Sequence, residues 1–461
     1  MIIGITGNSG SGKTTLSNLL KKEYDASLIN ADEIVKEVSE PGCIYYNEII
    51  NIFGEEILLQ NRKIDKQKLA ELIFNDSNKR KELNKITFKY IVEEIKNRID
   101  LSNKSVNIID APLLIESNLN RICDVVVSVI TNEDTKLNRI CKRDNLSKDE
   151  ALKRLNSQPN NDFYTINSNL VIINNENNNL EEQLEGIKEI LDSNMIKSKE
   201  IVIIQNKDCR IMQFKKLLEY DERLIHAFTL KPLDFGSNDT YEKTKEKVND
   251  NYKLICNMLK LDSKNIVRPF QTHTNNIKEV KDEMGVFNKK FINIDGLVTK
   301  ENNIILSLVF ADCTPIYLFD KNKNIIGNIH SGWQGTVKKI SKESIKFMKE
   351  KFNCNPKDII CVIGPTIGKC HFEVKKDVRD LFYDTFKYMK DIDDIIKYNS
   401  NTDSYFIDTI KINKGLLKEE GIVESNIIDS NACTVCNYNL IHSHRKEGIN
   451  AGRCTSMICL K

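Results

Sequence analysis

The feature that most constrains this chain is a short glycine-rich segment after its first apolar run. The segment consists of Gly7, Asn8, Ser9, Gly10, Ser11, Gly12, Lys13, Thr14 and Thr15. Its first part fits the pattern G-x-x-x-x-G-K-S/T. Glycines let the backbone curl until its N–H groups point at one phosphate, and the next helix adds its positive N-terminal end. The pattern therefore predicts a strand, a phosphate-binding loop and a helix. The alternative is a glycine-rich turn without a ligand.

Two side chains of this segment have predicted roles in binding ATP. Lys13 would reach the β- and γ-phosphates and take part in catalysis, while the Thr14 hydroxyl would hold Mg²⁺. We therefore expect ATP and Mg²⁺ to be cofactors of the N-terminal region.

Carboxylates at the ends of two predicted strands extend this site. Asp32 follows the strand-like run 27–30, and Asp110 and Glu116 follow the run 105–109. Ligands of open α/β sheets bind at the carboxyl ends of the strands. Asp32 could therefore accept a proton from a substrate hydroxyl, with Asp110 near the metal and Glu116 near the substrate. Asp32 could also be the N-cap of the next helix.

A basic segment over residues 136–158 predicts a helical lid. It contains Arg139 and Arg143, with Lys142 and Arg154 close by in the sequence. Arginines on a lid would neutralise the charge of the transferred phosphoryl group and exclude water. A solvated basic helix face is the alternative for each arginine.

Alternating strand-like and helical runs predict the fold class and the domains. Over residues 1–175 they alternate, which indicates an α/β domain with a parallel sheet covered on both faces. Strand signals are denser after residue 201, with helical patterns at 249–261 and 337–352, which favours a mixed α+β domain. We expect a kinase domain over 1–194, a linker over 195–200 and a second domain over 201–461.

Several segments of the first half keep a common order and spacing. They are Gly4–Thr15, Asn30–Asp32, Glu40–Gly42, Asp110–Glu116 and Arg143–Gln158. Together they resemble the dephospho-CoA kinase family, which has a P-loop NTPase-type sheet and phosphorylates the 3′-hydroxyl of dephospho-CoA in the last step of coenzyme A biosynthesis. The resemblance implies that Asp32 is the base and that Arg139 and Arg143 bind ATP. Asn30 departs from the usual Asp, and a degenerate ATP-binding domain or another nucleotide kinase is the alternative.

The second half contains all six histidines of the chain. Three candidate metal ligands, His273, Cys313 and His330, fall at predicted strand ends or turns. Two imidazoles and one thiolate can bind Zn²⁺ and leave a fourth position open, as in catalytic sites. A hydrogen-bonded structural histidine or a buried cysteine is the alternative at each position. The pair Cys433 and Cys436 could bind metal or be redox-active, and we favour structural thiols there.

Further segments of the second half also keep their order. They are Gln271–His273, Asp295–Thr299, Ala311–Cys313, His330–Gly335, Gly364–Gly368, Cys433–Thr434 and Ser443–Arg453. They resemble the laccase-domain or polyphenol oxidase family, whose members are better described as zinc-dependent purine nucleoside phosphorylases with adenosine deaminase activity. The resemblance implies that His273, Cys313 and His330 are zinc ligands, and that adenosine, inosine or methylthioadenosine is the substrate. His371, beside Cys370, departs from the family, where an aromatic residue is usual.

Three polar residues would complete this second site. Arg445 and Arg453 are candidate phosphate anchors, because planar guanidinium groups suit bidentate contacts; a structural role is open for both. Asp312 could orient a ligand or move a proton, or could serve in a cap or turn. For the whole domain, the alternatives are a zinc-stabilised binding module and a copper-dependent phenol oxidase, although multicopper sites need many more histidines than this chain has.

The composition of the chain limits the kinds of binding partner that we expect. The formal net charge is +2, whereas dedicated nucleic-acid binders usually carry a strong basic excess. Because no apolar run reaches the length of a membrane span and the start lacks the basic region of a signal peptide, we expect no membrane partner. The thirteen cysteines, an odd number, favour reduced thiols in a cytoplasmic protein. We expect a fusion of two enzymes acting on dephospho-CoA, purine nucleosides and phosphate, while the oligomeric state is not determined by the sequence.

Overall fold

A computed structural model describes residues 1–74, 76–176, 179–207, 209–237, 241–282, 284–286 and 288–461. The chain divides into two compact units, Met1–Leu184 and Glu185–Lys461. Strands and helices occur in both units, which confirms the predicted fold class. The more detailed boundaries at 194 and 201 stay a prediction.

Parallel strands form the centre of the first unit. They are β1 (Ile2–Thr6), β2 (Ser27–Asn30), β3 (Asn107–Asp110), β4 (Val125–Ile130) and β5 (Leu170–Ile173). Within the unit their order is β5-β4-β1-β3-β2, and each neighbouring pair is parallel. These short apolar strands are largely buried, as expected for a parallel sheet with both faces covered. The carboxyl ends of β1, β2 and β3 consequently meet at one edge, where the predicted site residues follow.

Helices pack around this sheet. They are α1 (Lys13–Glu23), α2 (Ala31–Val38), α3 (Ile44–Phe53), α4 (Lys66–Phe74), α5 (Ser77–Leu101), α6 (Glu133–Asp144), α7 (Lys148–Asn156) and α8 (Asn161–Ile166), and α9 (Leu180–Leu191) contains the division between the two units. The long helix α5 buries Ile91 and Ile95 in the same cluster as Ile29 of β2 and Ile109 of β3. Full burial of such a side chain stabilises the fold by roughly 1.5–3 kcal/mol. The predicted lid segment forms α6 and α7.

The second unit is built from mostly antiparallel strands. They are β6 (Ile201–Asn206), β7 (Cys209–Phe214), β8 (Leu224–Thr229), β9 (Ile266–Arg268), β10 (Ile277–Glu279), β11 (Gly285–Val286), β12 (Gly296–Thr299), β13 (Ile305–Phe310), β14 (Thr314–Asp320), β15 (Ile325–Ser331), β16 (Ile359–Ile363), β17 (Glu373–Val374), β18 (Ile396–Asn399), β19 (Ser404–Ile407), β20 (Ile427–Asp429) and β21 (Cys454–Leu460). Within this unit they run in the orders β11-β9-β13-β21-β8-β7-β6, β10-β12-β15-β14-β16-β20 and β17-β19-β18.

Buried polar side chains connect the two larger sheets of this unit. The Asn328 side chain on β15 donates to the Leu306 carbonyl on β13 and to the Ser456 carbonyl on β21, both at 3.0 Å. The Tyr317 hydroxyl on β14 donates to the Ala227 carbonyl on β8 at 2.7 Å. Because a buried polar group without a partner is costly, these contacts favour one alignment of the sheets.

The helices of the second unit flank these sheets. They are α10 (Lys215–Leu218), α11 (Tyr241–Leu259), α12 (Trp333–Val337), α13 (Ile340–Phe352), α14 (Lys376–Phe386), α15 (Ile392–Ile395), α16 (Thr409–Glu419) and α17 (His444–Glu447). Ile345 of α13 and Leu417 of α16 are buried in one cluster with Ile316 and Ile329 of the sheet. Among the described residues, no helix has both the length and the apolar character that crossing a bilayer requires.

Candidate functional site

The glycine-rich loop lies between β1 and α1, as its sequence predicts. Gly7 has a φ of 137° and Gly12 a φ of 102°, values that residues with a side chain rarely adopt. A Cβ atom on Gly7 would lie 2.2 Å from the Val129 carbonyl oxygen, and one on Gly12 would lie 2.3 Å from Asn174 Nδ2. Glycine is therefore needed at both positions for conformation and for space.

A cavity of about 610 Å³ opens at the N-terminus of α1. It is lined by Gly10, Gly12, Lys13, Thr14, Thr15, Arg139, Lys142 and Arg143. Burial lowers the pKa of Lys13 to about 8, because Asp110 and Asp32 offset only part of the desolvation. An anion in this cavity would find cationic side chains and the positive end of a helix. The structure thus brings together the loop and both predicted lid arginines.

Side chains from outside the loop hold its backbone. Asn174 Nδ2 donates to the Ser11 carbonyl at 2.7 Å. The Ser9 N–H donates to Gln158 Oε1 at 2.9 Å, and Gln158 Nε2 donates to Ser9 Oγ at 3.0 Å. Sequence reasoning assigned neither residue to the site. The family resemblance marked the position of Gln158, whereas nothing distinguished Asn174 from its asparagine-rich surroundings.

Asp110 lies beside the loop and provides a possible metal ligand. Its side chain is 3 % exposed, and its Oδ2 atom has no hydrogen-bond partner among the described residues. Burial raises the pKa of Asp110, and interactions with Thr14, Lys13 and Ser17 oppose that rise. A carboxylate oxygen without a partner beside a threonine hydroxyl is a pair of oxygen ligands that fits Mg²⁺.

Asp32 lies in the first turn of α2 but does not cap that helix. The cap is Asn30, whose Oδ1 atom accepts the N–H groups of Asp32 at 2.9 Å and Glu33 at 3.1 Å. The cap alternative for Asp32 is therefore wrong. The Asp32 charge acts on both Lys13 and Asp110, so the carboxylate lies in the neighbourhood of the loop.

The other predicted residues of this unit have different surroundings. Glu116 does not line the cavity, and burial raises its pKa. Arg143 lines the cavity and forms two 2.8 Å contacts with the Asp144 carboxylate. Arg154 donates to the same carboxylate at 2.7 Å. Asp144 therefore holds two arginines of the lid segment in place.

In the second unit, the three predicted metal ligands converge. His273, Cys313 and His330 each offer a ligand atom within 4.8 Å of the others, and we call them the His/Cys triad. Cys313 Sγ lies 3.7 Å from His273 Nε2. A Cβ atom on Gly332 would lie 2.5 Å from His273 Cδ2 and 3.2 Å from Cys313 Sγ. The small Gly332 therefore lets the side chains of the triad approach one another.

Asp295 organises this triad. It is fully buried, and its Oδ1 atom contacts His330 Nδ1 at 2.9 Å and accepts the His273 N–H at 3.1 Å. Its Oδ2 atom accepts the Thr274 N–H and hydroxyl, both at 2.7 Å. Because Nδ1–H donates to the carboxylate, the neutral form of His330 has its lone pair on Nε2, where it can bind a metal. The predicted site did not include Asp295, whose only signal was its place in a family segment.

The charges of Cys313 and of the two imidazoles in the His/Cys triad influence one another. Burial alone would raise the pKa of Cys313, but His330 and His273 outweigh it and lower that pKa. Burial alone would lower the pKa of His330, but Cys313 and Asp295 outweigh it and raise that pKa. The thiolate is the form of cysteine that ligates metals, whereas a protonated His330 must release a proton before its imidazole can bind one. Two imidazoles, one thiolate and an orienting carboxylate together fit Zn²⁺.

The triad faces a cavity of about 740 Å³. Aromatic side chains of Trp333 and Phe372 line it together with Arg445 and Arg453. Arg445 Nη1 donates to the His371 carbonyl at 2.7 Å, and Arg453 Nη1 donates to the Gly452 carbonyl at 2.9 Å. The structure therefore brings both predicted phosphate anchors to the same cavity as the triad.

Asp312 also lines this cavity, and its carboxylate is engaged by neighbouring segments. It accepts the Thr434 hydroxyl at 2.5 Å, the Ser443 hydroxyl at 2.7 Å and the Arg445 N–H at 2.6 Å. Its backbone has a φ of 80°, which is uncommon for a residue with a side chain. These contacts fit the structural alternative, and a role in proton transfer stays a prediction.

Comparisons with known proteins agree with the two units. Residues 1–181 match the family described as dephospho-CoA kinase, and residues 231–461 match the family described as multi-copper polyphenol oxidoreductase laccase. A dephospho-CoA kinase of Listeria monocytogenes is 38% identical over 177 residues, which are 38% of this chain and 88% of that protein. Purine nucleoside phosphorylase YlmD of Bacillus subtilis is 33% identical over 217 residues, which are 46% of this chain and 76% of that protein.

A solved structure also resembles the chain. The crystal structure of the Bacillus licheniformis hypothetical protein YfiH superposes with a TM-score of 0.50 and 29% sequence identity. The match covers 54% of this chain and 96% of that protein.

Proposed function

We propose two enzymatic activities for this chain, which belongs to the dephospho-CoA kinase family over residues 1–181 and to the multi-copper polyphenol oxidoreductase laccase family over residues 231–461. One active site lies in each unit. The phosphate loop supports the first activity and the His/Cys triad supports the second.

The first proposed activity is ATP-dependent phosphorylation of the 3′-hydroxyl of dephospho-CoA. The observation that carries it is the cation-lined cavity at the N-terminus of α1. Lys13, Arg139 and Arg143 would bind the triphosphate, and Thr14 with Asp110 would hold Mg²⁺. When bound, Mg²⁺ supplies positive charge that offsets the charge of the phosphate oxygens.

Asp32 is the proposed base of this reaction. Asn30 caps α2, so the Asp32 carboxylate is not required for capping. As the hydroxyl oxygen bonds to the γ-phosphorus, the bond from that phosphorus to the bridging oxygen of ADP breaks. The hydroxyl proton passes to Asp32.

An assay of the full chain with ATP, Mg²⁺ and dephospho-CoA tests this proposal. We expect formation of CoA, a strong loss of transfer in Asp32→Asn, and near-normal transfer in the matched control Glu33→Gln. Nucleotide binding should persist in Asp32→Asn. ATP binding without transfer would instead support a degenerate domain, and transfer to a nucleoside or a monophosphate would support another kinase.

The second proposed activity is zinc-dependent phosphorolysis or deamination of purine nucleosides. The observation that carries it is the His/Cys triad, with Asp295 orienting His330, at the wall of a cavity that two arginines share. The triad would hold Zn²⁺ with a fourth position open. When bound, zinc supplies a Lewis acid at that position.

Residues of this chain would bind the substrates. Arg445 and Arg453 would anchor phosphate through their guanidinium groups. The aromatic side chains of Trp333 and Phe372 offer apolar surface to a purine ring. Adenosine, inosine and methylthioadenosine are the proposed nucleosides.

Copper-dependent phenol oxidation is the competing activity suggested by the family description. Of the remaining histidines, His226 accepts the Phe214 N–H at 2.8 Å, and His442 Nε2 contacts the Leu233 carbonyl at 3.0 Å. Neither lines the cavity of the triad, and His371 belongs to a separate group of candidate ligands, whereas His444 lines the cavity but is not part of the ligand group of the triad. This usage favours one zinc ion at the triad over a multicopper centre.

Metal analysis combined with two assays separates these activities. We expect zinc in the purified full chain and cleavage of inosine in the presence of phosphate. Cys313→Ser should abolish cleavage, whereas the matched control Cys354→Ser should retain it. Copper-dependent oxidation of a phenol without nucleoside cleavage would overturn the proposal. Zinc binding without any turnover would indicate a zinc-stabilised binding module.

A further inference from the structure

A second group of candidate metal ligands lies outside the His/Cys triad. It consists of Cys370, His371, Cys433 and Cys436, whose ligand atoms all lie within 4.8 Å of one another. We call this group the Cys₃His cluster. The segment before β17 supplies two of its members, and a CxxC pair after β20 supplies the other two.

Three distances within the Cys₃His cluster match the edges of a tetrahedral zinc site. Cys370 Sγ and Cys436 Sγ lie 3.8 Å apart. His371 Nδ1 lies 3.6 Å from Cys433 Sγ and 3.5 Å from Cys436 Sγ. With Zn–S of about 2.3 Å and Zn–N of about 2.0 Å, an ideal tetrahedron has S···S edges of about 3.8 Å and S···N edges of about 3.5 Å. The edge from Cys370 Sγ to His371 Nδ1 is shorter, at 3.1 Å.

The backbone around the cluster also suits a metal thiolate. The Gly368 N–H donates to Cys433 Sγ at 3.3 Å, a contact that stabilises negative charge on sulfur. A Cβ atom on Gly368 would lie 3.2 Å from Cys433 Cβ and 3.3 Å from Cys370 Sγ. The absence of a side chain at this glycine therefore lets the two cysteine segments come together.

We propose that the Cys₃His cluster binds a second zinc ion, at a site that is structural. Three thiolates and one imidazole fill the tetrahedral shell, so no coordination position is left for a substrate. The CxxC pair has the spacing of one half of many structural zinc sites, whereas the other two ligands, Cys370 and His371, are adjacent in the sequence.

This second zinc would fix one wall of the cavity that the triad faces. Phe372, next to His371, lines that cavity, and the His371 carbonyl accepts from Arg445 Nη1. Thr434, next to Cys433, donates its hydroxyl to Asp312. The metal would therefore hold together the segments that position an aromatic wall residue and a proposed phosphate anchor.

Metal content of the full chain, purified under reducing conditions, tests this site without any assay of activity. We expect two zinc ions per chain by mass spectrometry of the metals. Cys436→Ser and His371→Phe should each lower the content to one, and Cys354→Ser should leave it at two. Cys313→Ser should remove the zinc of the triad and leave the zinc of the cluster. Two zinc ions retained in both cluster variants would overturn the proposal.

Cobalt substitution gives a second measurement that does not require a folded variant of the cluster. In the Cys313→Ser background, which removes the thiolate of the triad, Co²⁺ should still give thiolate charge-transfer and tetrahedral absorption bands. Their absence from this folded variant would overturn the site. A disulfide between Cys370 and Cys436 in the native protein, with no second metal bound after reduction, would overturn the zinc site and indicate a redox-active cysteine pair instead.

Discussion

The two candidate sites differ in which parts of the chain determine their geometry. The phosphate loop is one contiguous segment whose shape depends on the backbone of glycines such as Gly7 and Gly12. The His/Cys triad comes from three segments and depends on Asp295 and on the pairing of β14 with β15, which places Pro315 opposite His330. The first geometry is mostly local, with support from Asn174 and Gln158, and the second is tertiary. Buried residues far along the chain should therefore influence the second site more than the first.

The largest expected effect tests whether the two sites are independent. Lys13→Ala should lower kinase activity by about 10²- to 10³-fold, the typical cost of removing one preorganised group that stabilises transition-state charge. Nucleoside cleavage should not change, and the exposed Lys21→Ala on the same helix should affect neither activity. Steady-state rates of both reactions on one preparation provide the measurement. An equal loss of both activities would show that the two sites are not independent.

A smaller effect is expected from the carboxylate that orients the triad. Asp295→Asn should weaken zinc binding by about 10- to 100-fold, as is typical when the partner of a metal-ligating histidine is removed. Competition with a chelator measures this affinity. Asp320→Asn, a buried carboxylate that accepts the N–H groups of Asn322 and Lys323, is the matched control. Unchanged zinc affinity in Asp295→Asn would mean that the histidines are oriented by packing alone.

A pH effect should distinguish the units, because the first contains no histidine in its sequence. His226 is buried, and burial lowers its pKa to about 3. In the unfolded chain that pKa is about 6.5, so the unfolded state binds more protons below this value. The free energy of unfolding of the second unit should therefore be about 2 kcal/mol lower at pH 5 than above pH 6.5.

Denaturant unfolding at pH 7.5 and pH 5 measures this loss for each transition. His226→Gln, which cannot titrate, should reduce the pH dependence of the second unit's transition by the contribution of His226. The transition of the first unit should show no such contribution. If the wild type and His226→Gln lose the same stability, protonation of His226 does not contribute.

The smallest expected effect concerns local structure in the first unit. Asn30→Ala should destabilise it by about 1 kcal/mol, because the N-cap of α2 would be lost. Asn47→Ala, at an exposed position in α3, should change the stability by much less. Chemical denaturation of both variants measures the difference. Equal stability of the two variants would show that the cap contributes little.

Local signals in the sequence were sufficient for much of the fold. The phosphate loop and the strand-like run 27–30 were predicted from contiguous residues, and β2 has the same bounds in the structure. The helical pattern at 337–352 was predicted as one helix, but the structure has α12 ending at Val337 and α13 beginning at Ile340. Lys339, with a φ of 62°, breaks the helix there. Such a turn is set by packing of the following helix and leaves little trace in hydrophobic periodicity.

Contacts between distant segments could not be predicted in the same way. The sequence did not reveal that Asp295 accepts from both His273 and Thr274, because the distances depend on how β12 and β15 pair. It also showed Cys433 and Cys436 as an isolated CxxC pair. Their partners, Cys370 and His371, lie more than sixty residues away in the chain. Residue spacing contains no information about such distances until the tertiary fold is known.

The polar contacts between the sheets of the second unit also determine how rigid the triad is. His330 lies near the end of β15 in one sheet, whereas His273 lies in the connection from β9 of the other sheet to β10 of the sheet that contains β15. If the sheets slid past each other, the connection that carries His273 would be displaced at its β9 end. Apolar faces alone would resist such sliding weakly, but Asn328 and Tyr317 would each lose buried partners on the opposite sheet. These two side chains therefore fix the relative position of the two sheets. Their loss should produce a protein that remains folded but holds its metal ligands less rigidly.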